Sequence, residues 1–270
     1  MIGNPGAGKS TIINSLIGRP YFSSGVSLGN GLTFEFDWVL VGRVKFFDTP
    51  GLHDLDRRRE AAEEITKSLK QEGIYKIFFV IPLYDGRLRP EDVTVIQLVM
   101  ESLPESSTFN LIINKVNKAV EEKITTDKDV YSLLLKGGLR ENQLPNDKLI
   151  LPFIPEIDSK DNALISDPEK LMEFVSKTKG VEIKSPDVQT IKIEDFEEMK
   201  QQVEKDVNEK LSAEHQEEII KISEEKERQR QEDRKNHERL VADERKKGRK
   251  ELEKAENEWK ARTFSGTILL

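Results

Sequence analysis

The sequence predicts an α/β fold of three layers, in which a mostly parallel sheet lies between helices and a long charged C-terminal helix follows. Two observations favour this class. Over about the first 180 of the 270 residues, short apolar runs alternate with helical patterns. Beyond about residue 190, Glu, Lys, Arg and Gln dominate and proline is absent.

The candidate strands are apolar runs rich in β-branched and aromatic residues. Their apolar residues are continuous rather than alternating, which is typical of strands buried on both faces, as in a parallel sheet. The runs cover residues 39–41, 44–47, 77–81, 111–113 and 149–151.

Four helical patterns lie before, between or after these runs. They cover residues 8–17, 55–71, 90–103 and 167–178. The second is expected to end just before Gly73, a residue suited to a C-cap. Pro90 suits the first turn of the third helix, and Asp167 is the expected N-cap of the fourth.

The tail, from about residue 193 to residue 262, contains almost no helix-breaking residue. Met199, Val203, Val207 and Leu211 recur every four residues, a stripe that could pack on the globular part or on a partner helix. Farther along, the a and d positions of any heptad are mostly charged, which makes a poor coiled-coil seam. A solvated helix and a weakly self-associating helix both remain open.

Composition excludes several classes of function. The net charge is −7, so no basic surface field favours nucleic acid as a partner. Cysteine is absent and the three histidines are scattered, which excludes disulfides and predicts no zinc site. No apolar stretch reaches the roughly 20 residues that span a bilayer. We expect a cytoplasmic protein, with peripheral membrane association left open.

The strongest motif is a phosphate-binding loop of the form G-x-x-x-x-G-K-[ST], followed by an amphipathic helix. Its glycines let backbone N–H groups point at phosphate oxygens, and the helix adds its positive N-terminal end. Lys9 should reach the β- and γ-phosphates and the Ser10 hydroxyl should ligate Mg²⁺. The residues assigned to nucleotide binding here are Gly3, Asn4, Pro5, Gly6, Ala7, Gly8, Lys9, Ser10 and Thr11.

The strand that should lead into this loop is reduced to Met1 and Ile2. A central strand usually has about five residues. The first strand therefore looks truncated, either because the sequence is a fragment or an internal start, or because the sheet lacks most of that strand.

A second motif, Asp48-Thr49-Pro50-Gly51, directly follows the apolar run at 44–47. Asp48 is placed to hold Mg²⁺, usually through water, and Gly51 offers a backbone N–H to the γ-phosphate. The alternative is an ordinary Pro-Gly turn after a strand.

A third motif, Asn114-Lys115-Val116-Asn117, stands where the guanine-reading N-K-x-D motif belongs. The Asp of that motif accepts hydrogen bonds from guanine, but an amide at Asn117 presents its N–H₂ to a donor. A buried unmatched polar group costs roughly 1–3 kcal/mol. Guanine binding should be weakened, or the base choice relaxed toward xanthine, and an ordinary strand-to-loop turn is the alternative.

With these motifs in order, about the first 180 residues resemble the septin-like TRAFAC GTPases of the immunity-associated type: the GIMAP group and the plant AIG-like and Toc proteins. Trp38, Gly42-Arg43-Val44 and the stretch from Asp48 to Leu52 resemble their W-x-G-R…D-T-P-G-L pattern. Pro90-Glu91-Asp92 is similar to the turn that opens their next helix. The chain resembles a divergent member.

The resemblance, taken together with the change of composition, implies a P-loop NTPase fold with a G domain at 1–180, a linker at 181–192, a charged helical or possible coiled-coil tail at 193–262 and a frayed end at 263–270. It implies GTP or GDP and Mg²⁺ as cofactors. It also implies a GTP state coupled to pairing of G domains in a homodimer, or to an unidentified protein effector.

The resemblance also implies a Mg²⁺-binding hydroxyl about twenty residues before Asp48. This hydroxyl belongs to switch I, a loop whose position depends on the bound nucleotide. Ser27 lies 21 residues before Asp48 and is preferred as a Mg²⁺ ligand, whereas Thr33, 15 residues before it, is the second choice. Leu52 stands where many small GTPases carry a water-positioning Gln, so hydrolysis is expected to be slow. His53 could orient water or be a plain loop residue.

The residues expected to serve the reaction are thus Lys9, Ser27 and Gly51, with Ser10, Ser27 and Asp48 around the metal. Asp161 and Asn162 lie where the family has residues near the base, but no role follows from the sequence. Three functions stay open: a slow GTP-hydrolysing switch, an ATPase-type P-loop protein, and a non-catalytic scaffold that holds nucleotide and acts through its tail.

Overall fold

The computed structural model of the protein describes residues 1–25, 32–53, 57–83, 86–124 and 126–265. Ser27, the predicted start of the second helix at 55–56 and the last residues of the tail lie outside these ranges.

The helices and strands follow one another in the alternating order that the sequence predicts. The helices are α1 (Lys9–Ile17), α2 (Arg58–Leu69), α3 (Pro90–Glu101), α4 (Lys118–Glu121), α5 (Asp127–Lys136), α6 (Pro155–Asp158), α7 (Glu169–Lys177) and α8 (Phe196–Ser265). The strands are β1 (Asp37–Val41), β2 (Val44–Asp48), β3 (Gly73–Tyr75), β4 (Phe78–Pro82), β5 (Asn110–Val116), β6 (Asp147–Pro152) and β7 (Val181–Ile183). Short 3₁₀ turns occur at Glu141–Gln143, Ser185–Asp187 and Ile193–Asp195.

The central sheet is parallel, with the strand order β4-β5-β6. Phe79 lies opposite Leu111, and Ile112 lies opposite Leu149. All five residues of β4 are buried, as its continuous apolar run predicts. Ile2 forms an isolated parallel bridge with Phe79, so the phosphate loop begins beside β4.

Strands β1 and β2 differ from the expectation of parallel strands buried on both faces. They form an antiparallel hairpin in which Trp38 pairs with Phe47, and Trp38 and Leu40 are exposed. The connection is the two residues Gly42 and Arg43, with Gly42 at a φ of 62°. Two residues can join antiparallel strands but are too few for a parallel crossover.

The parallel sheet is covered on both faces, which gives the predicted three layers. On one face, Phe78, Val80 and Ile112 pack with α1 and α7. On the other face, Phe79, Ile81, Leu111 and Ile113 pack with α2, α3, α5 and the start of α8. Because side chains alternate along a strand, neighbouring residues of β4 enter the two separate cores.

Several helix ends differ from the sequence predictions. Helix α2 ends at Leu69, and Gly73 opens β3 instead of capping the helix, so that expectation is wrong. The N-cap of α7 is Pro168, while Asp167 Oδ1 accepts a bond from Glu169 N at 3.3 Å. Helix α5 was not predicted, although Thr126 and Asp129 form a capping box and Val130 and Leu134 are buried.

The chain divides into two compact units, Met1–Lys210 and Leu211–Leu270. The core of the first unit includes Ile183, Val188, Ile191, Phe196 and Val203, all beyond residue 180. Met199 and Val207 pack against the same core, and Lys210 Nζ donates to Leu135 O at 2.9 Å. The division in the structure and the predicted boundaries at 180 and 193 therefore differ, and a truncation experiment decides between them.

The second unit continues α8 to Ser265, with Ile219, Ile220, Ile222 and Trp259 exposed. Among the helices of the described ranges, none combines the length and the apolar character that a bilayer-crossing segment requires.

Candidate nucleotide-binding site

The phosphate loop runs from the Ile2 bridge to the first turn of α1. A Cβ at Gly3 would lie 2.2 Å from Val80 O, so only glycine lets the loop pass this close to β4. Gly8 precedes the helix at a φ of 95°, and no side chain caps the helix N-terminus. The first backbone N–H groups of α1 are thus available to bind an anion.

Lys9 is almost fully buried beneath this loop. Its Nζ donates to Gly3 O at 2.9 Å and to Asn4 O at 3.2 Å. Burial lowers the pKa of Lys9, while the charges of Asp48 and Asp92 oppose that shift. Among the described residues, its hydrogen-bond acceptors are carbonyl oxygens. A buried ammonium in such a setting is suited to gain an anionic partner, because an opposite charge favours its protonated form.

Three oxygen-bearing side chains converge next to the loop. Ser10 Oγ donates to Asp48 Oδ2 at 2.6 Å, and Thr33 Oγ1 donates to the same oxygen at 3.2 Å. The Ser10 and Thr33 hydroxyl oxygens lie 3.5 Å apart. The structure brings Ser10 and Asp48 together across 38 residues, as their motifs predict.

This cluster fits Mg²⁺. Hydroxyl and carboxylate oxygens are ligands that Mg²⁺ accepts, with phosphates and water completing its shell. Asp48 Oδ1 is buried and has no hydrogen-bond partner among the described residues, so an oxygen remains for a metal or its water. The described ranges hold no group of three or more His, Cys, Asp or Glu able to bind a metal without such help.

The hydroxyl that the structure places in this cluster is that of Thr33, the second choice for switch I from the sequence. Ser27, the first choice, lies outside the described residues, so its place in the site stays a prediction.

Gly51 closely approaches the phosphate loop. A Cβ at Gly51 would lie 2.2 Å from Pro5 Cδ, so its backbone reaches the loop only because it carries no side chain. The next residue, Leu52, is buried in the core on α2's side of the sheet, and His53 is exposed. A buried leucine leaves no hydrogen-bonding side chain at that position to orient a water.

The end of β5 lies against the other side of the loop. Asn114 Nδ2 donates to Ala7 O at 2.8 Å and would lie 2.5 Å from a Cβ at Gly8. Lys115 adopts a left-handed φ of 59° and lines the cavity described below. Asn117 is exposed, and its Oδ1 accepts a bond from Val120 N at 2.9 Å as the N-cap of α4.

A cavity of about 740 Å³ joins these parts, which is ample for a nucleotide. It extends from the phosphate loop to the region beyond the ends of β5 and β6. Among its lining residues are Lys9, Ser10, Thr33, Gly51, Asn114 and Lys115. Asn117 is not one of the lining residues, so the structure does not bring it together with the other two members of its motif.

Sequence reasoning missed two contacts of the site. Asn4 Nδ2 donates to Asp92 Oδ1 at 2.8 Å, joining the phosphate loop to α3. Asn162 Oδ1 accepts from Ser24 N at 3.0 Å, joining the loop after α1 to the loop before α7. These pairs lie 88 and 138 residues apart, and no local pattern indicates either one.

Residues 1–115 match the family of 50S ribosome-binding GTPases. This region holds the phosphate loop, the Asp48 motif and the start of the third motif. This match and the geometry of the site indicate a GTPase domain of the TRAFAC class. GTP binding and GTP hydrolysis are the general activities of this class.

The relatives that the sequence matches include bacterial proteins named GTPase Era and GTPase Der. The chain is 27% identical to GTPase Era of Ruminiclostridium cellulolyticum over 192 residues, which covers 64% of the chain and 60% of Era. It is 31% identical to GTPase Der of Agrobacterium fabrum over 122 residues, 43% of the chain and 24% of Der. It is 29% identical to GTPase Der of Rhizobium etli strain CIAT 652 over 106 residues, 37% of the chain and 22% of Der.

The chain therefore spans less than two thirds of these relatives. The GTPase domain is what it shares with them. The matches do not extend to the immunity-associated type that the sequence motifs resemble.

Proposed function

We propose that this protein is a guanine-nucleotide switch that hydrolyses GTP slowly with Mg²⁺ as its cofactor. The observation that carries the proposal is the convergence of Ser10, Thr33 and Asp48 beside the buried Lys9. A magnesium ion there would neutralise phosphate charge, and Thr33 would make the position of switch I depend on the nucleotide.

The roles follow from position. Lys9 and the N-terminus of α1 bind the β- and γ-phosphates, Ser10 and Asp48 hold Mg²⁺ directly or through water, and Gly51 N–H contacts the γ-phosphate. Ser27 is an additional candidate for the metal shell and stays a prediction. These groups hold the phosphates in position and stabilise the charge that develops on them. The two effects together supply most of the catalysis of phosphoryl transfer.

Slow hydrolysis is proposed because of Leu52. Its side chain is fully buried and has no group to orient the attacking water. His53 is exposed next to it and is the described side chain nearest in sequence that could substitute. A second molecule that supplies a missing group, either a paired G domain or an effector, would then accelerate the reaction.

The first turn of α8 gives a route by which nucleotide state could reach the tail. Arg58 Nε donates to Leu52 O at 2.9 Å, directly after the Asp48 motif. Its Nη1 donates to Glu197 Oε1 at 2.8 Å, and the guanidinium lies 3.8 Å from the centre of the Phe196 ring. Movement of the segment at Gly51 and Leu52 would disturb this packing. We propose that the G domain and the tail are coupled here.

The finer resemblance to the immunity-associated GTPases remains part of the proposal, resting on Trp38, Gly42-Arg43-Val44 and the stretch from Asp48 to Leu52. So does a homodimer through the G domain or the tail. The matched family is described as binding the 50S ribosome, but we propose no nucleic-acid partner here, because the net charge of −7 opposes it.

A relaxed base choice is the second candidate. Asn117 caps α4 instead of lining the cavity, which favours weaker selection of guanine and keeps an ATP-binding function open. Base selectivity would then depend on other groups near Lys115, such as Glu121, which lines the cavity.

The experiment is a fluorescence titration with labelled GDP, competed by GTP, ATP and XDP, with and without Mg²⁺. We expect competition by guanine nucleotides that strengthens with Mg²⁺, and loss of the Mg²⁺ effect in Ser10→Ala. Ser166→Ala, a hydroxyl elsewhere in the cavity, is the matched control and should keep that effect.

Equal competition by ATP would replace the switch with an ATPase-type protein. An identical Mg²⁺ dependence in Ser10→Ala and in the wild type would remove the metal assignment. If GDP and a non-hydrolysable GTP analogue gave the same protease sensitivity and the same oligomer size, the switch itself would be lost and the scaffold function favoured.

A further inference from the structure

The hairpin of β1 and β2 exposes apolar side chains to solvent. Trp38 and Leu40 lie on one face of β1, because side chains two residues apart along a strand point the same way. Both are exposed, and so are Val41 and Val44 beside the connecting turn. Neighbouring exposed apolar residues of this kind typically mark a surface that binds another protein.

The outer edge of β1 is open. Among the described residues, β2 pairs with one edge of β1 and no strand pairs with the other. The two-residue connection closes on a hydrogen-bonded pair, Val41 and Val44. Trp38 and Leu40 therefore direct their backbone groups away from β2. In agreement, Trp38 N donates to Oδ1 of the neighbouring Asp37 at 2.7 Å. An unpaired edge of this kind is a template for another strand.

The sequence of β1 suits antiparallel pairing with itself. Three registers bring the outward backbone groups of two copies together over most of the strand, with the two-fold axis at its second, third or fourth residue. An axis at the second or third residue places Asp37 opposite a valine. With the axis at the fourth residue, Leu40, the carboxylate of Asp37 lies opposite Arg43 instead. The same axis places Val39 opposite Val41, so charge and apolar character are both matched.

We propose that β1 of one molecule pairs with β1 of a second copy of this chain, with Leu40 opposite Leu40 across the two-fold axis. The inference rests on the homodimer named in the proposed function and supplies its surface. On the exposed face, the Trp38 ring would lie diagonal to Leu40 of the other copy, within reach of an aromatic side chain. Two pairs of Asp37 with Arg43, one on each side of the axis, would fix the register.

The hairpin that would pair connects two oxygens of the candidate metal site. Thr33 lies four residues before β1, and Asp48 is the last residue of β2. Thr33 Oγ1 donates to Asp48 Oδ2, which closes the base of the hairpin. Asp37, Leu40 and Arg43 are not among the residues that line the nucleotide cavity. Nucleotide binding and strand pairing would therefore use separate surfaces of the same segment.

Cysteine cross-linking of the full chain tests the register, because the chain has no cysteine of its own. Opposite residues of a hydrogen-bonded antiparallel pair have Cα atoms about 5.5 Å apart, which suits a disulfide. Under mild oxidation with copper phenanthroline, Leu40→Cys should form a covalent dimer at least about tenfold faster than Val44→Cys. Val44 is the matched control, since Leu40 and Val44 are 56% and 54% exposed on the same hairpin. Equal rates for the two variants would overturn the pairing.

Exchange of the charges tests the pairing by a second route. Sedimentation equilibrium of the wild type should show a weak dimer with a Kd of roughly 10–100 µM, because a short strand edge buries little surface. Asp37→Arg and Arg43→Asp should each weaken the dimer by about tenfold, since each change places like charges opposite each other twice. Both residues are exposed, so neither change disturbs the core. The double variant should restore the Kd to within about threefold of the wild-type value.

A wild type that stays monomeric at about 200 µM, above the expected Kd, would overturn the strand pairing. So would a dimer with the same Kd in both single variants, because its interface would then lie elsewhere, such as on the tail. GDP titrations of the same samples separate this inference from the nucleotide switch. A monomer that binds GDP would refute the pairing alone. A wild type that does not bind GDP would refute the switch, while a rapidly cross-linked Leu40→Cys dimer would still support the pairing.

Discussion

At the scale of single residues, the least expected contact is the pair formed by Asn4 and Asp92. Both side chains are buried, and only one hydrogen bond joins them, from Asn4 Nδ2 to Asp92 Oδ1. Asn4 Oδ1 and Asp92 Oδ2 have no partner within the described part of the chain. Burial raises the pKa of Asp92 to about 6, against opposing effects of Asn4, Arg89 and Lys9 and with a small addition from Glu91.

We expect Asp92→Asn to stabilise the protein near neutral pH. The new amide would donate to Asn4 Oδ1 and remove a buried charge, a gain of about 1–3 kcal/mol. The folded protein binds the Asp92 proton more tightly than the unfolded chain does. The stabilising contribution of the protonated Asp92 to the free energy of unfolding is therefore complete below about pH 4 and is lost as the pH rises through about 6.

Thermal unfolding of wild type and Asp92→Asn at pH 7.5 and pH 4.5 measures this contribution. The variant should have a melting temperature a few degrees higher at pH 7.5, and the difference should shrink at pH 4.5. Equal melting temperatures at pH 7.5, or the same difference in melting temperature at both pH values, would show that the buried, ionised Asp92 carboxylate does not destabilise the folded protein.

The second prediction at this scale concerns Lys9. In Lys9→Ala the loop loses the cation buried beneath its phosphate-facing backbone, so GDP affinity should fall by roughly a hundredfold. Lys118→Ala, an exposed lysine outside the cavity, is the control and should bind GDP like the wild type. Calorimetric titration gives both affinities, and wild-type affinity in Lys9→Ala would contradict the phosphate-loop assignment.

At the scale of elements, the connection between α2 and the first turn of α8 depends on Arg58. Its side chain is mostly buried, and Leu52 O, Glu197 and the Phe196 ring all contact it. The neighbouring Arg59 also forms an ion pair, with Glu194 in the 3₁₀ turn before α8. Arg59 Nη2 and Glu194 Oε1 lie 3.5 Å apart, and both side chains are exposed. The two adjacent arginines thus form ion pairs that differ in burial, because the Arg58 side chain is mostly buried and the Arg59 side chain is exposed.

We expect Arg58→Met to destabilise the protein by about 1–3 kcal/mol, because Leu52 O loses its donor while the aliphatic bulk is largely kept. Arg59→Met should change stability by less than about 0.5 kcal/mol, as exposed ion pairs contribute little. Chemical denaturation of both variants measures the free energies of unfolding. Equal effects of the two substitutions would mean that the buried contacts of Arg58 carry no special stability.

Elements with strong local patterns were predictable from the sequence, and those set by tertiary contacts were not. The run at 77–81 predicted β4 because a strand buried on both faces must be apolar throughout. Strands β3 and β7, with three residues each, pair across more than a hundred residues and carry no such pattern. Asn117 had the right spacing for base reading, but its side chain satisfies the N-terminus of α4 instead.

At the scale of the whole molecule, the fold of the nucleotide-binding unit extends beyond the last strand-helix repeat. The stripe at Met199, Val203 and Val207 packs against the core of the first unit, whereas Leu211 is exposed. The four-residue spacing predicted an amphipathic helix but could not say which surface the helix contacts. The sequence becomes highly charged near residue 190, but the first turns of α8 beyond that point still pack in the core. The change of composition therefore marks only roughly where α8 becomes exposed to solvent.

We expect a chain truncated after Lys210 to fold and to bind GDP like the full chain. Truncation after residue 192 should instead yield a largely unfolded protein. It removes Phe196 and Val203, which are 0% and 3% exposed. Losing a buried phenylalanine alone typically costs about 3–5 kcal/mol, a large part of a domain's stability of about 5–15 kcal/mol.

Circular dichroism melting curves and calorimetric GDP titrations of the two truncated chains measure these outcomes. A cooperative transition and full GDP affinity for residues 1–192 would place the boundary where the composition changes. Loss of both in residues 1–192, with both retained in residues 1–210, would show that the first turns of α8 are part of the GTPase domain. In that case Arg58 and Glu197 join two segments of one cooperative unit, and nucleotide-dependent changes at Leu52 reach α8 inside the domain.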